Sequence, residues 1–329
     1  MRNFEFRAEK FDLHTPFVIS RGTRTNSTVV VVEIEEDGKK GWGECCPTPH
    51  YGESVDSVMA QITKIDPQMA EGLSREELQS AMQPGAARNA IDCALWDLEA
   101  KQKGKTIAES MGHGWPDHLQ SVETISIGDA EKMGAKAATL AKFPTIKVKM
   151  NAEDIEARIE AIHKNAPDAR LIVDANESWN VDIVKRVAQT LKDNGVVMLE
   201  QPVPPKDDET LRGINAPLPL GGDESCHVAA DLERLKGIYD VVNIKLDKTG
   251  GLTEAKKLLD QAKDMGFDIM VGCMVGTSLS MAAGMFIATE ASYVDLDAPT
   301  MLSTDREHAL TIIDGQMSAL NPKLYGGAK

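Results

Sequence analysis

A (β/α)7β TIM-like barrel with an N-terminal α+β capping domain is the fold that this 329-residue sequence predicts, on three observations. From about residue 120, short apolar runs alternate with amphipathic stretches, as in parallel βαβ units. The runs end at Lys149, Asp174, Glu200, Asp223, Lys245, Cys273 and Asp297, at intervals of 25, 26, 23, 22, 28 and 24 residues. That period holds one strand, one helix and their loops. Neither GxGxxG nor a Walker A motif follows any of these strands. The alternative, an open doubly wound sheet, would ordinarily carry such a phosphate loop.

Residues 1–115 lack the period and read as the capping domain. Thr28–Glu35 (TVVVVEIE) is a β-branched strand, Asp37-Gly38 a tight turn, and Gly41–Glu44 the returning strand. Helical patterns follow over Ser54–Ile65, Ser74–Met82 and Ala86–Gln102, the last with Ile91, Leu95 and Leu98 on one face. Gly112, Gly114 and Pro116 close the unit. The barrel is assigned to 116–299, with SVETISI (121–127) as its first strand. The segment 300–329 is expected to rejoin the capping domain. About 180 residues are fewer than the 200–250 that eight units usually take, so the barrel must be compact. Residues 269–289 carry no charge, but Gly272, Gly276 and Gly284 interrupt them. They read as a buried strand, a loop and a buried helix rather than a membrane span.

Composition narrows the partners. Apolar residues at 42% suffice for a core without staples, and a formal charge of -15 repels nucleic acid and anionic membranes. Cys45, Cys46, Cys93, Cys226 and Cys273 have no metal-binding or disulfide-framework spacing, and the charged N-terminus is no signal peptide. Both point to reduced thiols and a cytoplasmic address. A small molecule is the expected partner, and a homo-oligomer is left open.

In a parallel barrel the active site lies at the C-terminal strand ends. A charge buried there costs several kcal/mol unless a partner compensates. Asp174, Glu200 and Asp223 end three consecutive strands, so their carboxylates converge. A cation must neutralise them, and oxygen-only ligands favour Mg²⁺, with Mn²⁺ able to substitute. Lys147 and Lys149 share one strand face, toward the interior. Lys245 ends a strand beyond the trio. Crowding by other cations is expected to lower a lysine's proton affinity and make it a base.

The ordered motifs KxK, VDAN, LEQP, GDES and NIKLDKTGG resemble the enolase superfamily, and its muconate-lactonising subgroup in particular, over nearly the whole chain. The resemblance implies Lys149 and Lys245 as acid/base pair, Asp174, Glu200 and Asp223 on Mg²⁺, and an ene-diolate intermediate. Gly272-Cys273-Met274 lacks the histidine of the mandelate-type subgroup. Asp295-Leu296-Asp297 resembles the DxD signature of dipeptide epimerases, where it receives the substrate's α-ammonium. Two carboxylates at period two suit that task. Arg24, in RGTRTN before the long strand, resembles a capping-loop arginine that meets a glutamate side chain, and Lys147 the residue that assists the substrate carboxylate. The activity implied is inversion of the C-terminal residue of a dipeptide such as L-Ala-D/L-Glu, in murein peptide recycling. The rivals are an o-succinylbenzoate synthase or cycloisomerase, which need no DxD, and a metal-dependent barrel hydrolase, which usually needs a histidine cluster absent here.

Overall fold

A computed structural model describes residues 2–327. Strands β1 (Asn3–Ile19), β2 (Gly22–Glu36) and β3 (Lys39–Cys45) form an antiparallel sheet in that order. The β2–β3 turn has φ 52° at Asp37 and 73° at Gly38. Positive φ at both central residues is the geometry of a tight hairpin turn. β2 starts at Gly22, six residues before the apolar run. Arg24 therefore lies on a strand opposite Phe17, not in a loop. β1 had no apolar signature because it is a largely exposed edge strand.

Helices α1 (Val55–Ala70) and α2 (Arg75–Ala81) begin at Ser54 and Ser74, each closing a capping box. α3 (Ala86–Lys103) lies between the sheet and the barrel. Its backbone rests directly on β3: a Cβ on Gly43 would stand 1.9 Å from Ala90 O, and one on Gly41 2.1 Å from Ala94 O. Its other face holds the barrel, where Arg88 donates to Thr249 O (2.6 Å) and Asp92 accepts from Thr253 N (2.9 Å). A short α4 (Ile107–Met111) follows.

Eight parallel strands come next: β4 (Glu123–Ile125), β5 (Thr145–Lys149), β6 (Arg170–Asp174), β7 (Val196–Glu200), β8 (Leu220–Gly222), β9 (Val241–Ile244), β10 (Asp268–Gly272) and β11 (Tyr293–Asp295). They hydrogen-bond in chain order. Val122 N donates to Val294 O (3.1 Å), and Leu296 N to Ser121 Oγ (3.0 Å), joining the last strand to the first. Helices α5 (Ala130–Thr139), α6 (Ile155–Asn165), α7 (Val181–Asp193), α8 (Leu232–Leu235), α9 (Leu246–Thr249), α10 (Leu252–Asp264) and α11 (Ser278–Ala288) fill the connections. The regular strand-plus-helix repeat fails once. Between β7 and β8 the chain makes only a 3-10 turn, Pro205–Leu211. Pro204 caps that turn and Pro205 opens it, a position where a missing N–H costs no bond. The uncharged stretch 269–289 folds as β10, a loop and the wholly buried α11, as its glycines predict. Among the described residues no helix is long and apolar enough to cross a membrane, and all five cysteines are free.

The C-terminal segment was expected against the capping domain; positions 328–329 of it lie outside the described residues. Its hairpin, β12 (Ile312–Ile313) and β13 (Gln316–Met317), meets the start of the barrel where Met317 N donates to Leu119 O (2.9 Å). Tyr325 Oη then donates to Cys93 O on α3 (2.8 Å), and Gly326 N to Asp97 Oδ1 (3.0 Å).

Strand alternation divides the barrel's side chains. Ile146, Val148, Leu171, Val173, Leu199, Val242, Ile244, Ile269 and Val271 face the helices, in the main core. Val122, Ile172, Met198, Val241 and Met270 plug the interior as a separate cluster. Lys149, Asp174 and Glu200 stand one pleat above that plug, and Lys147 starts level with Ile172. A buried apolar floor thus lies beneath a charged mouth.

Candidate active site

β5 places Lys147 and Lys149 inward, two residues apart and both buried. Asp174 and Glu200 close β6 and β7, while Asp223 and Lys245 sit one residue past β8 and β9. Asp295 ends β11, and Asp297 lies two residues beyond it. The three carboxylate strands lie between β5 and β9 in the sheet order. Four places apart in an eight-stranded ring, β5 and β9 face each other across the mouth. Lys149, Lys245, Arg24, Tyr51, Asp295 and Asp297 line one cavity of about 500 Å³. Gly272 keeps it passable for Lys245: a Cβ there would stand 2.9 Å from Lys245 Cε.

The acids and bases interlock. Lys147 Nζ lies 2.6 Å from Asp295 Oδ2, 2.7 Å from Glu200 Oε2 and 3.2 Å from Asp174 Oδ2. Lys149 Nζ meets Asp174 Oδ2 at 2.7 Å, and Lys245 Nζ meets Asp223 Oδ2 at 2.6 Å. Burial alone would raise Asp174, but Lys149 and Lys147 outweigh it and pull its carboxyl down to about 2. Asp223 is likewise held well below the usual range, because Lys245, Lys248 and Lys147 overcome its burial. Glu200 goes the other way: burial and then Asp174 push it up to about 7.

One expectation is reversed. Burial lowers the proton affinity of Lys147 and Lys245, yet both end above the ordinary lysine value. Their nearest neighbours are carboxylates, Asp295 and Glu200 for Lys147 and Asp223 for Lys245, so ion pairing outweighs crowding by other cations.

Three buried carboxylates on adjacent strands have the composition of a hard-cation site. Glu200 Oε2 is buried without a hydrogen-bond partner, since the Lys147 ammonium near it is out of line for one. That oxygen is in ionic contact but accepts no hydrogen bond, so its lone pairs remain open to a hard cation. Asp174, Glu200 and Asp223 therefore fit Mg²⁺.

Asp297 heads the 3-10 turn Ala298–Met301 without a side-chain capping bond. Its Oδ2 accepts instead from Thr124 Oγ1 at 2.6 Å. Arg24 lines the cavity half-buried, and its side chain makes no ion pair or hydrogen bond among the described residues. Its neighbour Arg21 is committed: Nη1 lies 2.7 Å from Glu224 Oε1 and 3.1 Å from Glu177 Oε2. Ser20 Oγ also donates to Asn176 O (3.2 Å), so the β1–β2 tip is fastened to the barrel rim. His50, Glu177 and Glu224 bring ligand atoms within 4.8 Å of one another, but Arg21 already supplies that cluster's positive charge.

Sequence reasoning passed over Arg21, Thr124, Asn176, Glu224, Asn243 and Lys248, all in or beside the site. The motifs contained four of them, in VDAN, GDES and NIKLDK. A second charge adjoining a ligand, as in Asp223-Glu224, was the available signal.

Two family models match the chain: the mandelate racemase / muconate lactonizing enzyme N-terminal domain over residues 1–112, and the enolase C-terminal domain-like model over residues 131–322. The L-Ala-D/L-Glu epimerase of Escherichia coli K12 is 49% identical over 319 residues, 96% of this chain and 99% of the relative. The N-acetyl-D-glutamate racemase of a Pseudoalteromonas species is 44% identical over 304 residues, 91% and 96% of the two chains. An enolase family member from Agrobacterium tumefaciens, with homology to dipeptide epimerases, was solved with bound sodium and L-Ala-L-Glu. It superposes with a TM-score of 0.96 at 44% identity, over 99% of this chain and all of that one (100%).

Proposed function

The chain belongs to the mandelate racemase / muconate lactonizing enzyme family of the enolase superfamily, and on that premise we propose that it is a Mg²⁺-dependent dipeptide epimerase. Its substrate is L-Ala-D/L-Glu, and its setting the cytoplasmic recycling of murein peptides. The observation that carries the proposal is the opposition of Lys149 and Lys245 across one cavity, with the strands of Asp174, Glu200 and Asp223 between them.

Inverting a carbon next to a carboxylate needs one proton acceptor and one donor on opposite faces of a planar ene-diolate. Asp174, Glu200 and Asp223 would hold the ion. Mg²⁺ held there would supply positive charge for the substrate carboxylate and would compete with Lys149 and Lys245 for Asp174 and Asp223. Lys147, caged by three carboxylates, stays charged and faces the developing oxyanion. One of Lys149 and Lys245 removes the α-proton, and the other delivers a proton to the opposite face. Asp297 and the remaining oxygen of Asp295 receive the substrate ammonium, and Arg24 the glutamate γ-carboxylate.

Exhaustive chelation is expected to abolish turnover of L-Ala-D-Glu, and added Mg²⁺ to restore it, with Mn²⁺ as a substitute. Full turnover by a demonstrably metal-free preparation would refute the assignment. Arg24→Met should raise KM about tenfold for L-Ala-Glu while sparing L-Ala-Gln, the cost of one half-exposed charge contact. Equal losses on both substrates would remove Arg24 from the γ-carboxylate.

The 44% identical N-acetyl-D-glutamate racemase favours a second reading, racemisation of an N-acylated amino acid by the same lysines. An o-succinylbenzoate synthase or cycloisomerase would likewise leave Asp295 and Asp297 without a task. Incubation in D₂O with L-Ala-D-Glu and N-acetyl-D-Glu separates the first two: faster α-deuteration and inversion of the dipeptide supports epimerisation, and the reverse supports the racemase.

A further inference from the structure

We propose that Asn243 and Lys248, with the backbone of Asn176, select Mg²⁺ over Ca²⁺ by tying up one oxygen of each metal ligand. The inference rests on the cation assignment made above.

Each of the three carboxylates has one oxygen bonded to a buried donor of the protein. Asp174 Oδ1 accepts from Asn176 N at 2.8 Å. Glu200 Oε1 accepts from Asn243 Nδ2 at 2.7 Å, and Asp223 Oδ1 from Lys248 Nζ at 2.7 Å. The other oxygen of each faces the active-site lysines: Asp174 Oδ2 meets Lys149 at 2.7 Å, with a weaker 3.2 Å bond from Asn176 Nδ2, and Asp223 Oδ2 meets Lys245 at 2.6 Å. Glu200 Oε2 accepts no hydrogen bond, although Lys147 Nζ lies 2.7 Å from it. The site therefore presents three single oxygens rather than three chelating pairs.

The outer donors are hard to move. Lys248, with a side chain 0% exposed, also donates to Asp223 O (2.5 Å) and Asn243 O (2.9 Å), so all three ammonium protons are used. Asn243 cannot flip without turning its own carbonyl oxygen onto Glu200. Asn176 adopts φ 42°, the left-handed turn that points its N–H back at Asp174. None of these groups is open to solvent, so water cannot replace a broken bond. Rotating a carboxylate to chelate through both oxygens would leave a buried donor unpaired, a loss that solvent cannot offset.

That restriction distinguishes the two ions. Mg²⁺ demands an octahedron of six oxygens and keeps several waters, so three single donors leave half the sphere for substrate and solvent. Ca²⁺ takes six to eight oxygens and commonly uses bidentate carboxylates. Asn243 and Lys248 are thus positioning residues: they touch neither substrate nor reacting atoms, and act through Glu200 and Asp223.

Calorimetric titration of the full-length, substrate-free protein with Mg²⁺ and Ca²⁺ tests the proposal on wild type, Asn243→Ala and Lys248→Met. Wild type should prefer Mg²⁺ by about tenfold or more, and each folded variant should lose about tenfold of that preference, within the range for residues behind metal ligands. General loosening would weaken both ions alike and leave the ratio unchanged; that result in a folded variant overturns the proposal. So does equal wild-type affinity for the two ions, a measurement that needs no variant to fold. Wild type binding neither ion would instead refute the cation assignment beneath it.

Discussion

Lys149→Ala and Lys245→Ala are each expected to stop net epimerisation while sparing one half of the reaction. A proton must leave one face of the α-carbon and arrive on the other, so each turnover uses both lysines. General acid–base groups are worth about 10²–10⁴ in rate, and loss of either should cost inversion at least the upper part of that range. The remaining lysine still faces one hydrogen. Each variant should therefore exchange the α-proton of a single epimer in D₂O without inverting it, and the two variants should act on opposite epimers. Stereospecific exchange followed by proton NMR and chiral chromatography checks this. A bystander lysine would leave inversion within about tenfold, or about 1.4 kcal/mol of barrier. If both variants exchanged the same epimer, the two-base mechanism would fail.

The opposition of these lysines was legible in the chain because a barrel leaves charges few places to go. A run such as TIKVK alternates outward Ile146 and Val148 with inward Lys147 and Lys149, and the 25-residue spacing orders the strand ends. What pairs with each charge was less legible. Lys245 looked like a cation among cations, but Asp223 lies 2.6 Å away and reverses the direction of its shift. The period places Asp223 and Lys245 at the ends of adjacent strands, but it does not say which of the converging charges each one pairs with. Asn243 and Lys248 were hidden for a related reason. Buried polar residues beside a motif read as part of it, and only the folded structure shows them holding Glu200 and Asp223 from behind. β1 escaped notice because an exposed edge strand carries little apolar alternation. The short 3-10 turn that replaces a helix between β7 and β8 was masked by the regular spacing.

Asp297→Asn is expected to separate dipeptides from N-acylated amino acids. Asp295 already gives Oδ2 to Lys147, and Asp297 holds only the neutral Thr124 hydroxyl. Burial, then the charge of Asp295, push Asp297 up to about 7. An arriving ammonium would relieve both penalties, so the contact should exceed an exposed ion pair and reach about 1.5–3 kcal/mol, or roughly 10- to 150-fold in kcat/KM. Asparagine keeps the shape and an acceptor for Thr124, which limits collateral damage to the fold. L-Ala-Glu should suffer the full loss, and N-acetyl-Glu should change by less than about threefold, an ordinary surface-scale effect. The pH dependence follows from the sign of the shift. The ionised form of a group raised to about 7 is scarce at pH 6 and dominant at pH 8, while a peptide amine with a pKa of about 7.7–8.0 stays mostly protonated up to about pH 7.5. The KM of wild type for the dipeptide should therefore fall as pH rises from 6 toward 7.5, and the variant should show no such fall. Equal losses on both substrates, or the same pH profile in the variant, would make Asp297 a structural residue and leave the ammonium without its receptor.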